Sequence, residues 1–228
     1  MLSAKAVERL STDPWFGQLD GQLKHLLLTR GTLLDLRGGE FVFRQGDEPN
    51  GFYGLCNGFL KVSTLREDGK EAIATILEAG NWFGEASCID GLRRSHDVSA
   101  AGPAALLRID RDSFRKLMER HGFANAIALL QARHTRVTYA NLEDVTLRTV
   151  RAGLARRLQR LARGDVTMDV VDRRVIHVTH EILAMMLGVT RQTLALELKA
   201  LVEAGAITLG YGRIEIESME ILKRIEKE

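Results

Sequence analysis

The sequence predicts an α+β chain in three parts: an N-terminal β-roll of jelly-roll type, a long helix, and a C-terminal winged helix-turn-helix. Three observations predict it. Between Thr32 and Ile109 short apolar stretches are separated by glycine turns. From Phe123 to Leu147 a helical spacing recurs, apolar at most of its positions. From Thr179 to Leu201 two short amphipathic helices are joined by a tight turn. The expected domains are residues 1–122 for the roll and its flanking helices, 123–147 for the long helix and 148–228 for the C-terminal domain.

The first 30 residues read as helical, with Leu19, Leu23, Leu26 and Leu27 on one face and Gly31 closing the segment. Strands are expected at 41–43 (FVF), 52–56 (FYGLC), 59–65 (FLKVSTL) and 71–77 (EAIATIL). Turn signals lie between them at Gly38–Gly39, Gly46–Asp47, Asn57–Gly58, Asp68–Gly69 and Gly80–Asn81. Asp68–Gly69, set between alternating strands, is the strongest hairpin signal of the set. Helix returns at Asp110–His121, capped by Asp110 or Asp112, and the long helix follows.

Along that helix Ile127, Leu130, His134, Val137 and Asn141 recur at alternating spacings of three and four. This is a coiled-coil seam with polar residues at two positions, expected to form the spine of a homodimer; burial of the same face against the chain's own β domain is the other reading, and both can hold at once. A helix at Arg151–Ala162 comes next, then strands around Val166–Val171 and Val175–Val178. After the helix pair, residues 206–216 (AITLGYGRIEI) read as a hairpin with a glycine-flanked turn, the wing, and a helix at about Met219–Lys227 follows.

Composition sets limits. With 228 residues, 45% of them apolar and 27% charged, the sequence has the make-up of a soluble globular protein. No apolar run approaches bilayer length and no secretory leader is evident, so a cytoplasmic protein without a membrane partner is expected. Cys56 and Cys88 are too few for a disulfide framework, a cysteine-held zinc site or an iron–sulfur cluster. His177 and His180 have no matching carboxylate or cysteine group and are expected to be strand-end and capping-region residues, not metal ligands. No nucleophile–base pair, metal cluster or phosphate-loop sequence points to an enzyme. The net charge of +2 is uninformative, but residues 148–174 carry eight arginines against three aspartates, +5 in all. A basic helix beside a helix-turn-helix suits DNA phosphates; a solvated arginine-rich face would read the same way.

The C-terminal pattern carries the function. Ile182, Leu183, Met186 and Leu187 line one helix; Leu194, Leu198 and Leu201 line the next. Ala184 is small enough for a close crossing, Gly188 can adopt the left-handed conformation that ends the first helix, and Thr190 suits the N-cap of the second. An ordinary helical hairpin in a core is the bland alternative. A second helix of this kind is normally laid into the DNA major groove with its N-terminal residues at base edges. The candidate DNA contacts are Thr179, Thr190, Arg191, Gln192 and Thr193. The threonines can hold phosphate, Arg191 can bridge guanine O6 and N7, and Gln192 can pair with adenine N6 and N7.

A β-roll, a long helix and a winged helix-turn-helix, in that order, resemble the cyclic-AMP receptor protein / fumarate–nitrate regulator (CRP/FNR) family of bacterial transcription regulators. Residues 39–62 (GEFVFRQGDEPNGFYGLCNGFLKV) are similar to its opening strands, and residues 80–100 (GNWFGEASCIDGLRRSHDVSA) to its nucleotide-binding cassette. The resemblance implies an effector site at Gly84, Glu85, Ala86, Ser87, Arg94 and Ser95, with Thr138 and Tyr139 supplied by the long helix. The implied effector is cyclic AMP or another anionic nucleotide; no resident cofactor is implied. Glu85 would accept a ribose hydroxyl, while Arg94, Ser95 and the N–H groups of Ala86 and Ser87 would hold the phosphate. Glu85 and Arg94 also admit a plainer reading, a buried ion pair bracing the roll.

Two departures from cyclic-AMP binders stand out: His96 in place of a small alanine, and Tyr139 where a serine is usual. Tyr139 can stack on a base or fill the pocket. In the recognition helix many relatives carry glutamate at the position of Gln192 and arginine at that of Leu196, so the half-site is expected to differ at two positions. The resemblance implies a homodimer on two-fold, double-stranded operator DNA, with RNA polymerase a further expected partner. A constitutive DNA-binding protein whose roll is only a scaffold is the rival reading.

Overall fold

Helix caps and turn glycines divide the first third of the chain more finely than its apolar spacing suggests. The computed structural model describes residues 2–65, 71–166 and 173–228. The expected Asp68–Gly69 hairpin turn, and most of the strand expected at Val166–Val171, lie outside the described residues. Helices α1 (Ala4–Leu10), α2 (Pro14–Gln18) and α3 (Gly21–Arg30) replace the single helical face expected at the N-terminus. The side chains of Ser3, Asp13 and Asp20 each accept a first-turn N–H, and Pro14 opens α2, so each start is set locally. Leu19 therefore falls between helices, as the C-cap of α2.

Among the described residues eight strands build the roll: β1 (Thr32–Leu36), β2 (Phe41–Phe43), β3 (Gly51–Asn57), β4 (Phe59–Leu65), β5 (Glu71–Glu78), β6 (Trp82–Phe83), β7 (Asp97–Ala100) and β8 (Ala104–Asp110). They form two four-stranded sheets, in the orders β1-β8-β3-β6 and β2-β7-β4-β5. A short helix, α4 (Glu85–Asp90), interrupts the path from β6 to β7. Helix α5 (Arg111–Met118) starts on the Asp110 cap, and the long helix α6 covers His121–Thr146.

The chain divides into two compact units, residues 2–65 with 75–135, and 71–74 with 136–228. The core of the first is aromatic. Phe16 stacks on Trp82 at 5.2 Å, Trp15 meets Phe52 edge-on at 5.6 Å, and the Trp15 indole N–H donates to the Ala126 carbonyl at 2.6 Å. Ile127 and Leu130 of α6 are buried in this same core.

That placement agrees with the other reading of the expected seam, burial within the chain. Ile127 and Leu130 pack into the first unit, His134 hydrogen-bonds Glu85, Val137 is buried, and the Asn141 amide donates to the Ala74 carbonyl at 3.1 Å. The 3-4 pattern marks a face buried within the chain, because burial against a sheet needs the same periodicity as a coiled coil. The exposed face of α6 instead carries Leu129, Ala132, Tyr139 and Leu142.

The second unit contains α7 (Val150–Ala162), β9 (Val175–Ile176), α8 (His180–Leu187), α9 (Arg191–Glu203), β10 (Ile207–Gly210), β11 (Arg213–Ile216) and α10 (Met219–Ile225). Its sheet runs β10-β11-β9, antiparallel, with Ile207 opposite Ile216 and Ile214 opposite Ile176. Leu154, Leu158, Leu183, Leu194, Leu198, Leu201, Ile214 and Leu222 form a core without exposed atoms. Among the described residues no helix is long and apolar enough to cross a membrane.

Candidate functional site

The first candidate site lies where β3, α4 and the loop before β7 meet. Gly84 caps α4 at φ +89°, and a Cβ there would stand 3.1 Å from the Tyr53 ring and 3.2 Å from the Arg94 guanidinium, so both backbone and space require glycine. Arg94 is 3% exposed. Its Nη1 donates to the Gly84 carbonyl at 2.8 Å; its Nη2 donates to the Gly51 carbonyl at 2.6 Å and to Asn50 Oδ1 at 3.2 Å. The guanidinium lies 4.1 Å from the centre of the Phe43 ring. Its Nε–H has no hydrogen-bond partner, and among the described residues no carboxylate comes within ion-pair distance of it.

Glu85 is equally buried but points elsewhere. Its Oε1 lies 2.7 Å from His134 Nδ1 on α6. The expected alternative of a Glu85–Arg94 ion pair is thus corrected: the two ends separate, the acid to a histidine and the base to carbonyls. Burial pushes the Glu85 carboxyl up, but the charge and hydrogen bond of His134 outweigh it and hold the group below its ordinary value. For His134, burial pulls down and Glu85 pulls up more strongly, leaving it raised. Both shifts favour an ion pair at neutral pH.

The remaining expected effector residues differ in exposure. Ala86 and Ser87 form the first turn of α4, the first exposed and the second buried. Ser95 is exposed, and its Oγ lies 2.9 Å from His96 Nδ1. Burial, and then the charge of Arg94, pull His96 below its ordinary value, so it is neutral at pH 7. Thr138 and Tyr139 follow His134 on α6. Tyr139 is 69% exposed, so its ring does not fill an interior space.

The second candidate site is the start of α9. Gly188 takes φ +64° and ends α8, Val189 N–H returns to the Ala184 carbonyl at 3.0 Å, and buried Ala184 admits the close crossing. Thr179 caps α8 by accepting the Ile182 N–H at 3.2 Å. Thr190 caps α9, accepting the Thr193 N–H at 3.1 Å, with the Thr193 hydroxyl 2.9 Å from its own. These bonds leave Arg191 and Gln192 exposed on the first turn. Leu196, one turn on, is 65% exposed and stands beside Gln192 rather than in the core. Arg191 is bound by the Glu181 carboxylate of α8.

The expected basic surface is corrected. Arg157 and Arg160 are buried, with Arg157 Nη2 2.9 Å from Asp165 and Arg160 Nη1 3.1 Å from Asp144. Arg148 and Arg156 are half-buried against Glu143, Asp144 and Glu226, and Arg151 pairs with Glu197 at 2.7 Å. Most of this positive charge is neutralised by acids and does not face solvent, whereas Arg173 and Arg174 stay exposed. His177 and His180 are exposed, and among the described residues no cluster suits a metal ion.

Residues 33–121 match the family model for the cyclic nucleotide-binding domain, and residues 154–225 that for the Crp-like helix-turn-helix domain. The chain is 28% identical over 193 residues to a CRP-like cAMP-activated global transcriptional regulator of Mycobacterium tuberculosis, covering 84% of this chain and 86% of that one. It is 28% identical over 188 residues to the cyclic AMP receptor protein of Thermus thermophilus, covering 82% and 84%. The solved structure of FixK2 from Bradyrhizobium japonicum superposes with a TM-score of 0.78 at 18% identity, over 86% of this chain and 97% of that one.

The chain belongs to the CRP/FNR family of transcription regulators.

As a CRP/FNR regulator it is a DNA-binding protein with a cyclic-nucleotide-binding-like domain, and not an enzyme. Four contributors to its sites escape sequence reasoning. His134 has the spacing of a seam residue, Asn50 and Gly51 lack any motif of their own, and Glu181 passes for an ordinary first-turn acid. The one available signal is Glu181 itself, an acid in the first turn of a helix next to an expected DNA surface.

Proposed function

We propose that this CRP/FNR regulator is a homodimer that reads two-fold operator DNA through α9 and is controlled by an anionic, cyclic-nucleotide-like effector held at Arg94. The observation that carries the effector reading is the state of Arg94. The guanidinium is held by two backbone carbonyls and one side-chain amide oxygen and by no carboxylate, and a buried charge without a counter-ion is costly. A cyclic phosphate supplies that counter-ion and an acceptor for the idle Nε–H. The relatives described as cAMP-activated support the same ligand class.

One observation favours a ligand other than cyclic AMP: the Glu85 oxygen nearest α6 already holds His134, and neutral His96 sits beside Ser95. The dimer reading rests on the exposed stripe of α6, where Leu129, Ala132, Arg136 and Tyr139 repeat at 3-4-3 spacing, which suits a second copy. The two recognition helices of the dimer would enter successive major grooves about 34 Å apart. Effector controls DNA binding by favouring one orientation of the DNA-binding domains, so operator must tighten effector by the same factor.

Calorimetric titration of nucleotide-stripped protein with cyclic AMP and with cyclic GMP tests the reading. Saturable binding that tightens when operator is present, and vanishes in Arg94→Ala with the fold intact, is the expected result. Equal affinity with and without operator would refute the coupling. No heat with either nucleotide, from protein that still binds DNA, would leave the constitutive regulator as the better account.

A further inference from the structure

Arg191 opens the recognition helix, and its nearest charged partner comes from the other helix of the motif. Its Nη2 donates to the Glu181 carboxylate in the first turn of α8. Neither helix needs this bond to start, since Thr179 caps α8 and Thr190 caps α9. Nor does it hold the domain together, because the two side chains are 69% and 50% exposed and exposed pairs contribute little. The bond is therefore not explained by the fold.

An acid here also opposes the domain's task. A carboxylate on a surface that meets duplex DNA repels phosphates of every sequence and weakens binding uniformly. What it supplies is direction. A free arginine has five N–H donors on a flexible stem and bonds a phosphate as readily as a base. Bidentate contact with guanine O6 and N7 needs the fork held in one plane. Tied through Nη2 to Glu181, the guanidinium has its plane set and its other donors aimed. Exclusion of water by the bound duplex strengthens the tie.

We propose that Glu181 is a positioning residue for base reading: it holds Arg191 toward one guanine and away from phosphate, lowering affinity for all DNA and raising discrimination at that base pair. The proposal rests on α9 as the DNA-reading helix.

The test begins with an operator selected from random duplexes by the wild-type protein, its base pairs then replaced one at a time. Fluorescence anisotropy gives Kd for wild type, Glu181→Gln, Glu181→Asp, Arg191→Ala and the Glu181→Gln/Arg191→Ala double variant, with thermal melts to confirm folding. Arg191→Ala is expected to lose about tenfold or more discrimination at one G·C pair. Glu181→Gln should bind random duplex several-fold more tightly, lose most discrimination at that same pair, and lose nothing further once Arg191 is absent. Glu181→Asp should restore part of it. Intact discrimination in Glu181→Gln, or a loss that persists without Arg191, overturns the proposal. Discrimination untouched by Arg191→Ala overturns the reading role of Arg191 itself, a failure seen before any Glu181 variant is consulted.

Discussion

Two sets of buried arginines in this chain differ in what neutralises them. In the second unit Arg157 and Arg160 face Asp165 and Asp144, with Arg156 3.0 Å from Asp144 as well. In the first unit Arg94 faces three oxygens, two of them backbone carbonyls and one a side-chain amide. Carboxylates cancel a charge; carbonyl dipoles only orient it. The first arrangement pairs its charges without any ligand and holds structure. The second has no carboxylate partner among the described residues, and the proposed anion site rests on that difference.

The comparison breaks first on stability. Arg157→Ala leaves Asp165 buried without one of its guanidinium partners and frees the Ala74 carbonyl that Arg157 also holds at 2.9 Å. Losing one member of a buried pair costs about 3–5 kcal/mol. Chemical denaturation should show a loss in that range for Arg157→Ala and a smaller one for Arg94→Ala, which strands no carboxylate. A larger loss at Arg94 would mean that its role is structural and would remove the distinction.

It sharpens next on ligand response. If Arg94 awaits an anion, a cyclic nucleotide at about a hundred times its Kd should stabilise the wild type by about 2.7 kcal/mol. Thermal shift assays should show this rise in Tm, and its absence in Arg94→Ala. The Arg157 cluster predicts no such response, because its charges are already paired. A rise that survives Arg94→Ala would move the anion site elsewhere.

How far the sequence alone foresees this contrast depends on distance along the chain. The helix-turn-helix is legible because its determinants are local: Gly188 at φ +64°, the Thr190 cap and the apolar spacing act within a few residues of one another. The roll is legible from its glycine turns for the same reason, although β1, β7 and β8 have weaker signals and α4 is hidden in a nucleotide-cassette pattern. What stays hidden is every pairing that closes over a long loop. His134 finds Glu85 at a separation of 49 residues, and Asn141 finds Ala74 at 67. Without those partners, the 3-4 repeat of α6 reads as a dimer seam. The arginines of α7 mislead similarly: a basic stripe and a buried ionic cluster have one sequence pattern, and of the deciding acids Asp165 lies within the stripe while Glu143, Asp144 and Glu226 lie outside it.

The smallest expected effect is the one most specific to the roll, the pH response of the Glu85–His134 pair. His134 is raised in the folded state, so its contribution is fully present below its unfolded value near 6.5 and is lost as pH rises through the higher folded value. Glu85 is lowered, so its contribution is present above its unfolded value near 4.5 and fades as pH falls through the folded one. The pair therefore stabilises the roll most between those limits. Denaturation of wild type and His134→Gln across pH 4 to 9 should give curves whose difference peaks in that window and shrinks on both sides. The Arg157–Asp165 pair makes the contrast: with no histidine, its contribution should persist on the alkaline side. A difference between wild type and His134→Gln that stays constant with pH would mean that the imidazole works by shape, and that Glu85 carries its charge without help.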